Sequence, residues 1–154
     1  MIKKLLTAIL CLTATIACAQ SDNDSLPNYE LTTFQHQTIH LTDLKGKPMF
    51  CYVWKSYDPS LHDLAFLDYL EKRYADSVQF IYLCTDGFSD AWPKIFSRFP
   101  LLKGIQVSTE GKDTAKWEDF LGHYASIFIV AKDGTVFYQN NYQFEEGLDA
   151  LLKE

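Results

Sequence analysis

The residue types that could do chemistry in this chain concentrate at one junction. There the run Met49-Phe50-Cys51-Tyr52-Val53-Trp54 gives way to Lys55-Ser56-Tyr57-Asp58-Pro59-Ser60. The first six residues are apolar and rich in aromatic and β-branched types, as a buried strand requires. Asp58 is a good helix N-cap, and Pro59 suits the first helical position, where its missing N–H has no partner to lose. Leu64, Leu67, Leu70 and Tyr74 then recur at three- and four-residue steps, which predicts one apolar helix face. A strand, a tight turn and a helix N-terminus bring free N–H groups and the positive end of a helix dipole together. A thiol at such a place would be acidified and able to attack a disulfide.

The candidate nucleophiles are few. Cysteine occurs at Cys11, Cys18, Cys51 and Cys84 only. Cys51 and Cys84 lie inside apolar, strand-like runs, where free cysteine is a common core residue. A disulfide between neighbouring strands is the alternative, and it needs a Cα spacing that sequence does not reveal. Cys84, two residues before Asp86, is the one thiol placed to approach the junction. Ser60 and His62 are two apart and face different sides of a helix, so they form no nucleophile–base pair. Asp58 and His62 could pair, although an N-cap carboxylate and a solvated histidine is the simpler account. His36 and His40 could share a strand face but would stand about 13 Å apart. His62 and His123 lack a third ligand, so neither a metal site nor a cofactor is expected. Trp54, Tyr57, Trp92, Trp117 and Tyr124 could floor a cleft for an extended peptide, or they could be core.

The elements around the junction follow from local pattern. Residues 29–34 and 38–41 alternate apolar with polar and predict a β-hairpin, though its turn, Gln35-His36-Gln37, has no glycine. Residues 78–84 form a second buried strand, and strand, helix, strand in succession predicts a parallel βαβ unit. Residues 88–99 read as a helix with Pro93 in its first turn and Pro100 as its stop. A short strand or extended loop is expected within 101–107 and a helix over 114–123. Residues 127–130 and 135–138 predict a hairpin about Asp133-Gly134. Phe144, Leu148, Leu151 and Leu152 predict a closing amphipathic helix.

Composition bounds the class. The chain has 154 residues, 47% of them hydrophobic, with 7 glycines and 5 prolines, which suits one globular domain. Residues 1–19 read as a secretory signal, with Lys3-Lys4, an apolar stretch and Ala17-Cys18-Ala19 as cleavage site. A flexible leader then spans 20–26 and the domain 27–154. The alternative is a lipoprotein anchored through Cys18, tethered by acyl chains. Export places the protein in the periplasm or cell envelope, where disulfides persist. The formal net charge is −6, and two units more negative without the signal's two lysines. This argues against nucleic acid as a partner, and against the membrane unless Cys18 is lipidated.

Residues 38–47, then Trp54, Ser56, an aromatic Tyr57 and Pro59, resemble thioredoxin-fold proteins of the TlpA/ResA (redoxin, AhpC/TSA-like) type. Asp86, Asp90-Ala91-Trp92 and Phe96 match a helix of the same proteins, and the resemblance runs from about 26 to 153. It implies a thioredoxin-like three-layer α/β/α sandwich with a mixed sheet and an N-terminal β-hairpin. In the family the junction reads Trp-Ala-Ser-Trp-Cys-x-Pro-Cys. Here the first cysteine's place falls on Tyr57 or Asp58, and the second on Ser60. The family's cis-proline falls at Ala125, and no proline follows Pro100. A cis bond before Ala125 would cost about 3–4 kcal/mol, so a trans loop is expected. The resemblance with these departures implies a redox site that has been vacated. The expectation is a binding or accessory module rather than an enzyme. Its contact edge would comprise Trp54, Tyr57, Asp58, Pro59 and Ser60, with Asp86, His123, Tyr124, Ala125 and Ser126 opposite. The partner would be an unidentified protein or peptide. The alternative is a thiol-disulfide oxidoreductase or peroxiredoxin-like antioxidant using Cys84 or Cys51.

Overall fold

The chain's most apolar runs become its central strands. In the computed structural model, which describes residues 25–55, 61–87, 102–122, 127–137 and 144–153, these are β3 (Met49–Trp54) and β4 (Gln79–Cys84). They run parallel, in register from Met49 beside Gln79 to Trp54 beside Cys84. Parallel neighbours need a long crossover, and α1 (Leu61–Tyr74) lies in it. β5 (Ile105–Ser108) adds parallel to β4. The hairpin of β1 (Glu30–Thr33) and β2 (Thr38–His40) attaches antiparallel through β1 to β5. β6 (Ile127–Val130) runs antiparallel to β3, and β7 (Val136–Phe137) antiparallel to β6. The result is a seven-stranded mixed sheet in the order β2-β1-β5-β4-β3-β6-β7.

Alternation along the strands divides the core in two. Met49, Cys51, Ile81, Leu83, Val107, Phe128 and Val130 point to one face, packed with Leu31, Leu41 and Trp117 of α2 (Thr114–Gly122). Phe50, Trp54, Phe80, Tyr82, Cys84 and Ile129 point to the other. There they meet Leu67, Leu70 and Tyr74 of α1 with Phe144 and Leu148 of α3 (Phe144–Leu151). Each fully buried aliphatic contributes about 1.5–3 kcal/mol, and both faces of β3 and β4 collect it. That is why these strands lack polar alternation. The architecture is the three-layer α/β/α sandwich expected, with its N-terminal hairpin.

Local differences from the expectation have physical causes. The hairpin turn works without glycine because His36 takes a left-handed conformation, φ 59°, closed by His36 N–H donating to Thr33 O at 2.9 Å. His36 therefore sits in the turn and does not share a strand face with His40. Leu41 leaves the strand to begin a 3-10 turn over Leu41–Leu44, which sinks its side chain into the core. β5 continues to Ser108, one residue past the expected end. Ser25 and Leu26, at the end of the expected leader, already pack on the domain: Leu26 is buried and its N–H donates to Gly134 O at 2.8 Å. The helix expected over 88–99 and the signal segment lie outside the described residues.

Candidate functional site

β3, β4 and β5 end together at one edge of the sheet, because parallel strands in register stop side by side. Trp54, Cys84 and Ser108 are cross-strand partners there and share the face that α1 covers. Both ladders continue one step further, with Thr85 N–H donating to Trp54 O at 3.1 Å and Thr109 N–H to Cys84 O at 3.0 Å. The chain then turns at Gly87, whose φ of +78° is a conformation that side chains disfavour. The Glu110 carboxylate lies against this glycine, only 2.2 Å from where a Cβ would stand. Ser108 Oγ accepts from Glu110 N–H at 3.0 Å and so fixes the start of that loop.

The two thiols of the domain meet opposite environments. Cys84 is buried, and its thiol donates to Asp86 Oδ1 at 2.9 Å with Gly87 O at 3.6 Å. That contact suits a thiol, which donates, and not a thiolate, which would face a like charge. Cys51 lies on the opposite face between Ile81 and Phe128, and burial pushes its thiol well above the usual range. Both are free. The inter-strand disulfide considered above is therefore overturned: the cysteines stand three positions apart along paired strands and point to opposite faces.

Of the residues assigned to the contact edge, Trp54 and Asp86 are found at this end of the sheet, Trp54 buried and Asp86 exposed. Tyr57, Asp58, Pro59, Ser60, His123, Tyr124, Ala125 and Ser126 lie outside the described residues, as do Trp92 and the N-terminus expected for the first helix. Trp117 does not join Trp54 in an aromatic floor. It is buried in the other core, edge-on to Tyr29 and Phe120, with its indole N–H donating to Glu30 O at 2.9 Å. Among the described residues no group of three or more His, Cys, Asp or Glu could hold a metal ion. Sequence reasoning missed Gly87, Ser108 and Glu110. The signal was Ser108-Thr109-Glu110-Gly111, a polar cluster closing an apolar strand.

This arrangement defines a thioredoxin-like α/β protein whose candidate site is the shared C-terminal edge of its parallel strands. In sequence the chain is similar to the thiol-disulfide oxidoreductase ResA of Bacillus thuringiensis (strain Al Hakam), at 26% identity over 131 residues, covering 83% of this chain and 75% of that protein. The same fold occurs in the thioredoxin domain of a thiol-disulfide oxidoreductase from Bacteroides vulgatus. That match has a TM-score of 0.70 and 13% identity, and covers 86% of this chain and 99% of the other. A thiol-disulfide oxidoreductase from Bacteroides fragilis matches with a TM-score of 0.68 and 18% identity, over 83% and 99% of the two chains. No protein-family model matches the chain.

Proposed function

We propose that this protein is an exported, thioredoxin-like binding or accessory module of the cell envelope that does not catalyse thiol-disulfide exchange. One observation carries the reading. The domain holds two thiols, Cys51 and Cys84, both without exposed surface and on opposite faces of the sheet, and its sequence has no Cys-x-x-Cys pair. Exchange needs a thiolate that reaches a disulfide and a second thiol to resolve the mixed disulfide. Neither buried cysteine meets the first condition, and their placement denies the second. The similarity to ResA supports export, because the amino-terminal signal pattern of this chain points the same way. The edge that carries Trp54 and Asp86, with residues 57–60 and 123–126, is then the contact surface for a protein or peptide.

An insulin-reduction assay with dithiothreitol tests this. The reading predicts the rate of the uncatalysed control, and the same rate for Cys84→Ser. Turnover that disappears in Cys84→Ser would establish the alternative, an oxidoreductase acting through Cys84.

A further inference from the structure

Glu71 is a carboxylate buried between α1 and the sheet, at the opposite end from the candidate site. It accepts three hydrogen bonds. Oε1 takes the Tyr82 hydroxyl at 2.6 Å and Gly104 N–H at 2.7 Å, and Oε2 takes Lys103 N–H at 2.7 Å. Two of these donors are backbone groups of the link at 102–104 that leads into β5. The ladder with β4 begins only at Ile105, so these two N–H groups are satisfied by Glu71 and not by the sheet. Burial first, and then the bond to Glu71, push the Tyr82 phenol far above its usual range, which keeps it a donor. The link also lies hard against the sheet, since a Cβ on Gly104 would stand 2.5 Å from the Tyr82 ring and 2.8 Å from Phe80 O. A groove of about 210 Å³ opens beside it between Ala75, Val78 and Lys103.

We propose that Glu71 is a latch: its carboxylate fastens the link at 102–104 to α1, so that neutralising it frees this link locally while the β3–β4 core stays closed. The chemistry of the acceptor makes the dependence sharp. A carboxylate offers two acceptor oxygens to three donors, whereas an amide offers one oxygen and turns its NH₂ toward a backbone N–H. Glu71→Gln therefore keeps the volume and removes the match. Local opening is the expected response, because two of the three lost bonds belong to a link whose release leaves the β3–β4 ladder intact.

Amide hydrogen exchange on the full chain tests the latch. Glu71→Gln is expected to speed exchange at Lys103 and Gly104 by about 30-fold or more, the cost of stranding buried donors. Exchange at residues 50–53 and 80–83 should rise by less than about threefold. Tyr82→Phe, which removes one donor and no acceptor, is expected to raise the two latch amides alone, by about threefold. The proposal is overturned if the latch amides keep wild-type exchange in Glu71→Gln, or if core and latch amides accelerate by the same factor. Should Glu71→Gln not fold at all, the carboxylate is a global requirement and the local latch is likewise refuted. Acceleration of core amides in Tyr82→Phe would refute it independently.

Discussion

The two ends of the β4–β5 pair treat their carboxylates in opposite ways. At the base, Glu71 is buried and saturated with three donors, and Gly104 packs so tightly that backbone and ring atoms leave no room for a methyl group. At the other end, Asp86 and Glu110 are exposed, Asp86 accepts from a thiol, and the atoms nearest a Cβ on Gly87 are those of the movable tip of Glu110. Backbone donors locked by a buried acid make a rigid joint. Exposed acids beside a buried thiol leave that end facing solvent. The contrast separates an interior joint from a solvent-facing edge on a single pair of strands.

Substitutions would break or sharpen this contrast, and the base should give the largest effect. Gly104→Ala pushes a Cβ into Phe80 O and the Tyr82 ring, which cannot withdraw, and is expected to cost about 3 kcal/mol in urea denaturation. A cost below about 1 kcal/mol would show that the joint is loose. Cys51→Ser comes next, because it buries a hydroxyl between Ile81 and Phe128, and about 2 kcal/mol should be lost. Gly87→Ala is predicted to cost about 1–2 kcal/mol, through its left-handed backbone. Adding Glu110→Ala should recover less than about 0.5 kcal/mol, because the carboxylate tip already moves aside. Cys84→Ser replaces a weak donor to Asp86 with a better one, and its effect should stay within about 1 kcal/mol. Equal costs at Cys51 and Cys84 would erase the difference between the two thiols.

The smallest effect concerns a fourth acid, Asp113, held below its ordinary value of 3.8 by the hydrogen bond from Lys116 and then by Glu30 N–H. A depressed carboxylate contributes stability that is present above 3.8 and lost as pH falls through its lower folded value. Thermal melts should therefore show wild type converging on Asp113→Asn as pH drops below 3.8, with a small advantage for wild type at neutral pH. A gap that is independent of pH would mean that the side chain acts only as a neutral acceptor for Glu30 N–H.

The fold was legible because burial on both faces leaves an unmistakable mark. Met49–Trp54 and the strand ending at Cys84 are continuous apolar runs, and the helix between them repeats at three and four residues. The residues that escaped notice are polar ones in apolar surroundings. Glu71 follows Leu70 and lies between Leu67 and Tyr74 on the buried stripe, and a charge there reads as solvated unless its partners at Tyr82, Lys103 and Gly104 are known. Those partners are 11, 32 and 33 positions away, beyond any local pattern. Ser108 and Glu110 were hidden for the same reason, since only strand pairing brings them beside Cys84 and Gly87. His36 replaced the expected glycine because histidine tolerates a positive φ better than β-branched residues do.

The central claim is that no thiol of this domain reaches solvent in the folded state. Maleimide labelling of the native protein, followed by intact-mass measurement, tests it most directly. The account predicts that Cys51 and Cys84 stay unmodified over hours in buffer and that both react within minutes in denaturant. Prompt, stoichiometric modification of Cys84 in the native protein would contradict it.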